Sequence, residues 1–386
     1  MAKSFCILLL FIYILSCTTE KPNCCNDSFQ AGAYDSIPRN TLVSSDSFST
    51  SHLKIFLNKN GYYLNFGMHF FKKDDSPYIA FMNGTKDSIV FINLTDSNKL
   101  FIRSVSHLLN GHNSNTRFHT GLVNDTMHII ETIFNTKDGN RLFYKQLIIT
   151  DSLTIKKIKS IEISSMISDK EQISLKTNTA MGGILTCQNG KIIIGYSKFN
   201  WKNNDRGERV LKVINIPENK STSLMKLPQK YIDCDVYPSM TPMVLNMTKE
   251  VLIVGFNQSD KLYKVNSQTE LIEEGQETTF RNHFMCFDIA NWSNLAYTHK
   301  ISLLNETNVN LLKVNNNLYL IKRLRRLEKS EPEHCAIVEF NNQLQQLNTY
   351  FLKEVVNPSF SFEFNNKLIF IDNAIQKAYT YEFSKE

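Results

Sequence analysis

The sequence predicts an all-β chain, and three observations carry that prediction. Strand-forming residues are abundant, with 26 Phe and 15 Tyr, while helix-forming Ala is scarce. Apolar stretches are short, of strand rather than helix length, and bounded by Asn, Asp, Ser and Thr. One pattern, a polar turn followed by an apolar strand, recurs along nearly the whole chain.

The recurring turn is clearest at Asn124-Asp125-Thr126, Asn189-Gly190-Lys191, Thr248-Lys249-Glu250, Asn316-Asn317 and Asn366-Lys367, each leading into a run such as Ile192-Ile193-Ile194 or Leu368-Ile369-Phe370-Ile371. Lys73-Asp74-Asp75-Ser76-Pro77 before Tyr78-Ile79-Ala80-Phe81 is a sixth copy. Neighbouring copies lie about 49 to 67 residues apart, room for four strands each. These turns join strands A and B of a unit. A second turn recurs downstream, at Asn93 to Ser97, Thr150-Asp151-Ser152, Pro217 to Lys220, Asn266-Ser267-Gln268 and Asn341-Asn342-Gln343, and joins strands C and D. Six four-stranded units predict a six-bladed β-propeller, which manages strand edges by radial repetition.

The sixth unit supplies A near Pro358 to Phe364, B near Leu368 to Ile371 and C near Tyr379 to Phe383, then stops. A strand from the N-terminus must complete it, and Leu53 to Leu57 is the expected one. The uneven spacing leaves a seven-bladed ring or a pair of β-sandwiches as alternatives.

At the N-terminus, Lys3 precedes an apolar run from Phe5 to Ile14 and then Leu15-Ser16-Cys17. The run falls short of the roughly 20 residues of a spanning helix, so it reads as an export signal. Ile14-Leu15-Ser16-Cys17 resembles the lipobox of bacterial lipoproteins. That resemblance implies a signal peptide over 1–16, a lipid on Cys17 anchoring the protein to the membrane, and, with Thr18 rather than Asp following, outer-membrane residence facing the periplasm or the cell surface. Residues 17–40, polar and aperiodic, read as the lipidated cysteine and a flexible tether, and 41–386 as the propeller domain. Six further cysteines, Cys24, Cys25, Cys187, Cys234, Cys286 and Cys335, show no C-x-x-C spacing. Zinc is therefore not expected, and buried thiols are.

Net charge is +6, but basic and acidic residues interleave, and no nucleic-acid partner is expected after export. His107 and His112 share a polar loop with Asn110, Gly111 and Asn113, without the H-E-x-x-H spacing of a metal site. Asp233 and Asp235 share a side of the alternating stretch Tyr231 to Tyr237, where paired carboxylates suit sugar hydroxyls, calcium or acid–base work. Trp201 lies with Arg206 in a long insertion, and Arg325 and Arg326 end a dense basic run from Lys322. These residues, with Tyr237, are the candidate ligand site. If the Asn-rich turns join A to B, all of them fall in B–C or D–A connections on one face of the ring. No G-x-S-x-G elbow, Walker loop or G-x-G-x-x-G fingerprint occurs, so neither a catalytic residue nor a cofactor is assigned.

Lipobox, polar stalk and six loose repeats together resemble the uncharacterised six-bladed propeller lipoproteins of Gram-negative anaerobic bacteria, of Bacteroidetes type. The resemblance spans nearly the whole chain and implies no catalytic residues. Asp35-Ser36-Ile37, Asp87-Ser88-Ile89, Asp125-Thr126-Met127 and Asp151-Ser152-Leu153 also resemble an O-glycosylation acceptor pattern of such bacteria. The expected function is binding of a glycan, a peptide or a partner protein at the cell envelope. The alternatives are a propeller hydrolase or lyase acting on glycans, and an accessory subunit of an outer-membrane uptake complex.

Overall fold

The computed structural model describes residues 40–60, 68–82, 87–110, 116–123, 125–136, 139–166, 184–186, 191–195, 209–226, 242–257, 259–279, 294, 307–324 and 334–383. Two short strands, Asn40–Leu42 (β1) and Asp46–Ser49 (β2), precede a helix, Ser51–Lys59 (α1). Six sheets follow. Blade 1 is His69–Lys73 (β3), Ser76–Met82 (β4), Ser88–Asn93 (β5) and Leu100–Ser104 (β6). Blade 2 is Thr116–Val123 (β7), Thr126–Thr136 (β8), Gly139–Ile149 (β9) and Ile155–Glu162 (β10), and blade 3 is Ile184–Thr186 (β11), Lys191–Gly195 (β12), Arg209–Asn215 (β13) and Lys220–Lys226 (β14). Blade 4 is Pro242–Asn246 (β15), Val251–Phe256 (β16), Tyr263–Asn266 (β17) and Ile272–Glu274 (β18). Blade 5 is Thr307–Val314 (β19), Asn317–Arg323 (β20), Cys335–Phe340 (β21) and Gln346–Leu352 (β22). The last sheet takes Val356–Phe364 (β23), Lys367–Asp372 (β24) and Lys377–Tyr381 (β25) from the C-terminus.

The first strands of the blades contact one another in ring order, β3 to β7, β11, β15, β19, β23 and back to β3. The fold is a six-bladed β-propeller with the A strands innermost. Two-residue loops close four of the A–B hairpins, flanked by the pairs Lys73↔Ser76, Val123↔Thr126, Val314↔Asn317 and Phe364↔Lys367. Asp74 and Asp75, and again Asn365 and Asn366, have positive φ, which Asp and Asn tolerate and tight hairpins demand. The polar turns in the sequence therefore mark backbone geometry. Leu153, Asn219, Glu270 and Leu344 take positive φ in the C–D turns of blades 2 to 5. Leu153 and Leu344 are nevertheless buried, because each turn folds its leucine against the preceding blade.

Each seam between neighbouring blades holds its own hydrophobic cluster, six in all. Between blades 2 and 3, for example, Ile130, Tyr144 and Ile163 pack on Ile192, Ile194 and Ile214. A blade is covered on both faces, which explains continuous apolar runs where a half-exposed sheet would show strict alternation.

Closure follows the expected plan with a different segment. β2 pairs antiparallel with β25, Asp46↔Thr380 through Ser49↔Lys377, and completes blade 6. Leu53 to Leu57, expected to be that strand, belongs instead to α1. Leu53, Phe56 and Leu57 recur at helical spacing, and Leu53 and Leu57 are buried in the cluster between blades 6 and 1 while Ile55 between them is exposed. A second difference is β1, which adds to blade 5 as a parallel fifth strand, Asn40↔Tyr350 through Leu42↔Leu352. Asn40, assigned from sequence to the tether, is thus already part of the fold.

Candidate functional site

The hairpins fall where the sequence places them, so the A–B and C–D turns share one face and the D–A and B–C connections share the other. Of the predicted ligand site, His107 lies among the described residues, exposed on a short 3-10 turn, Ser106–Leu108, in the connection between β6 and β7. His112, Trp201, Arg206, Asp233, Asp235, Tyr237, Arg325, Arg326 and the lipidation candidate Cys17 lie outside them. Among the described residues no group of metal-ligating side chains occurs, and no helix is long and apolar enough to cross a membrane. Cys335 is buried and forms no disulfide.

The loop that carries His107 is held from beneath by a buried ion pair. Glu131 on β8 and Lys145 on β9 are both fully buried, with Lys145 Nζ 3.0 Å from Glu131 Oε2. Lys145 donates to the carbonyl of Leu108 at 2.7 Å, and the Asn110 N–H donates to both carboxylate oxygens at 3.0 and 3.1 Å. Burial holds the lysine below its ordinary pKa, against the opposing effect of Glu131. Taking two charges out of water costs several kcal/mol per ion, so such a pair is weak evidence for stability as such. Its geometric consequence is definite: the backbone on either side of Leu109 is fixed, and the His107 side chain is presented from a rigid base.

A second polar cluster lies across the ring, at the seam of blades 4 and 5. Asn308 on β19 is 1% exposed, and its Nδ2 donates to the carbonyls of Phe256 at 2.8 Å and Ser259 at 2.7 Å. Its N–H donates to the Asn257 carbonyl at 2.6 Å. Asn308 lies opposite Lys322 of β20, whose Nζ is 4.0 Å from Asp260 Oδ1 with both residues buried. A β-bulge at Val309 re-aims the strand, so that Asn310, two residues on, turns to blade 6 and donates to the carbonyl and Oγ of Ser361. Among the described residues, three buried oxygens of this seam have no hydrogen-bond partner: Asn257 Oδ1, Thr307 Oγ1 and Asn308 Oδ1. Orphaned buried acceptors are rare in folded proteins and each calls for an explanation.

Sequence reasoning passed over this cluster. Lys322 read as part of an exposed basic run, yet it is fully buried beside Asp260. The available signal was Thr307-Asn308-Val309-Asn310 at the head of an apolar strand, since polar side chains on an innermost strand have to meet partners in a neighbouring blade.

Two further buried groups serve the scaffold. His69 on β3 meets Thr120 Oγ1 of β7 at 2.7 Å and joins blades 1 and 2, and burial lowers its pKa to about 4. Glu339 accepts four hydrogen bonds, from Asn317, Tyr319, Asn348 and Tyr350, each at 2.8 Å. These donors come from strands B and D of blade 5, so the carboxylate cross-braces its own sheet.

No protein-family model matches the chain, and no curated protein matches it in sequence. Solved structures do. The allergen Mala s 1 of Malassezia sympodialis is 9% identical, over 88% of this chain and 98% of the allergen, with a TM-score of 0.47. A puromycin-hydrolyzing peptidase of Mycobacterium tuberculosis is 8% identical over 84% of this chain, with a TM-score of 0.40, and the match spans 47% of the peptidase. An extracellular domain from B. thetaiotaomicron, ascribed to a one component system, is 11% identical over 82% of this chain and 33% of that one, with a TM-score of 0.36. Likeness at this level carries no argument about activity.

Proposed function

We propose that the protein is a binding propeller of the cell envelope, anchored through a lipid on Cys17, and that it takes its ligand on the face formed by the B–C and D–A connections. One observation carries the reading: a fully buried ion pair, Glu131 with Lys145, braces the connection that displays His107. Binding sites are disproportionately built on loops held by a rigid scaffold, and a pair so costly to bury is best understood by what it positions. The opposite face offers two-residue hairpins with little room to shape a pocket. The lipobox-like segment supports the anchor, and with the polar stalk and repeats it supports kinship with the propeller lipoproteins of Gram-negative anaerobes.

The test has two arms. A glycan array and a pull-down from envelope extract should yield a ligand whose binding weakens on Trp201→Ala or Asp235→Ala while the melting temperature holds. Undiminished binding by both variants, with loss instead on changing Asp74 or Asn365 in the hairpins, would reject the face. In the second arm, labelling with a radioactive fatty acid should mark the wild-type chain, and Cys17→Ala should lose both the label and the membrane association. A labelled Cys17→Ala protein would remove the anchor.

A further inference from the structure

We infer that the protein associates with further copies of itself head to tail, the outer edge of blade 2 in one copy meeting the outer edge of blade 4 in the next. β10 and β18 are the outermost strands of those blades. An outermost strand presents a row of backbone N–H and C=O groups that can template a further strand. Blade 5 shows that such an edge of this ring accepts one, since β1 lies on β22 as a parallel fifth strand. The edges of blades 2 and 4 carry opposite charge. β10 begins Ile155-Lys156-Lys157, with Lys159 beyond a bulge, whereas β18 is Ile272-Glu273-Glu274, flanked by Glu270 and Glu277. Lys156 and Lys157 are exposed, and so is every residue of β18. The one carboxylate of β10, Glu162, pairs with Arg141 at 2.7 Å. On blade 4, Lys261 and Lys264 approach Glu274 and Glu273 at 2.9 and 3.4 Å, two lysines against the four carboxylates of residues 270–277, so that edge stays acidic. Exposed ion pairs of this kind hold their partners weakly and leave the carboxylates open to a second cation.

Charge decides which edges meet. Two β10 strands would bring lysines together and two β18 strands would bring carboxylates together, and like charges facing across a strand pair are destabilising. That disfavours a two-fold contact of either edge with itself. It leaves a heterologous contact, which propagates as a chain or closes as a ring. Length and register fit as well. The bulge between Lys157 and Lys159 leaves a regular stretch of three residues before it, Ile155 to Lys157, equal in length to β18. Laid in parallel, as β1 lies on β22, Ile155 meets Ile272, Lys156 meets Glu273 and Lys157 meets Glu274. Antiparallel alignment keeps Lys156 opposite Glu273. Exposed apolar side chains border both edges: Ile148, which pairs with Lys156, and Leu271, which precedes β18. Covering them adds apolar burial to the charge pairing. Contact at the rim leaves both faces of the ring uncovered, so this association does not depend on the ligand face proposed above.

The experiment is sedimentation velocity of residues 18–386, which include every described element of the fold. At low salt the average size should rise with protein concentration and pass beyond a dimer. Raising the salt to about 1 M, where the Debye length is about 3 Å, should reverse this. Lys156→Glu with Lys157→Glu, and separately Glu273→Lys with Glu274→Lys, should each weaken association by about tenfold or more, because like charges then face each other across the contact. Mixed in equal amounts, the two variants should associate again, since one carries two acidic edges and the other two basic ones. Glu273→Gln with Glu274→Gln removes the acidity without crowding new lysines against Lys261 and Lys264, and should also weaken association. Melting curves establish that each variant is folded. A monomer at every concentration overturns the inference, as does a dimer that grows no further, the mark of a two-fold contact. Oligomers that persist in both charge-reversed variants, or variants that stay monomeric on mixing, overturn it too.

Discussion

A Cβ atom on Gly275 would lie 2.6 Å from the Cβ of Leu344 and 2.9 Å from the carbonyl oxygen of Leu262. The C–D turn of blade 5 is pressed here onto the end of blade 4, where the Gln276 N–H donates to the Leu344 carbonyl at 3.1 Å. The contact recurs between blades 1 and 2, where Arg103 Nε donates to the Leu153 carbonyl at 2.9 Å. Turns with a left-handed residue thus lock neighbouring blades together. Because backbone atoms form part of the contact, Gly275→Ala should destabilise the protein by about 1–3 kcal/mol, the usual cost of overpacking. Chemical denaturation measures it, and a variant as stable as wild type would show that this seam is looser than the contact implies.

The pair of Glu131 and Lys145 predicts an asymmetry between single and double changes. Lys145→Met strands a buried carboxylate and should cost about 3–5 kcal/mol. Glu131→Leu with Lys145→Met removes both charges and should cost less than Lys145→Met alone, although the Asn110 N–H then loses its acceptor. If the double variant is the less stable of the two, the pair contributes more by attraction than its burial suggests. Hydrogen exchange at Asn110 should speed up in either protein.

Acid should weaken the fold through two histidines. His69 and His128 are each lowered to about 4 by burial, from 6.5 in the unfolded chain. Between those values the unfolded state binds more protons than the folded one, so stability falls as pH drops from 6.5 toward 4. Each residue contributes at most about 1.4 kcal/mol per pH unit over that window. His69→Gln should flatten the dependence and His128→Gln should flatten it further. Unchanged slopes would mean that these rings take up protons as freely in the folded protein as outside it.

Ring closure should depend on β2 more than on β1. Truncation through Val43 removes a parallel strand added outside a complete blade, whereas truncation through Ser49 leaves blade 6 with three strands and takes Ser44 from Glu354. That carboxylate accepts from Ser44 Oγ at 2.9 Å and from Tyr381 at 2.7 Å. Burial pushes Glu354 up, but these hydrogen bonds outweigh it and hold it below the ordinary carboxylate range. Its contribution is therefore present above about pH 4.5 and lost as pH falls through the lowered folded value. The longer truncation should lower the melting temperature well beyond the shorter one, and Glu354→Gln should differ from wild type at neutral pH but converge with it in acid. Equal melting of the two truncated chains would reject the closure role of β2.

What the sequence determined by itself is local. The polar turns at Asp74-Asp75, Asn315-Asn316 and Asn365-Asn366 announce hairpins, because left-handed backbone, here at Asp74, Asp75, Asn315, Asn365 and Asn366, and tight strand reversal select Asn and Asp. Their repetition was enough to count six units and to require a strand from the N-terminus. Tertiary structure decided which segment that is, since Leu53 to Leu57 satisfies both a strand of suitable length and a helical stripe. The seam of blades 6 and 1 selects the helix by burying Leu53 and Leu57 from one side. The paired burial of Glu131 with Lys145, of Asp260 with Lys322, and of Asn257 beside Asn308 was likewise invisible along the chain. These partners come from different strands or blades, and their meeting depends on register and ring closure, which no local pattern encodes.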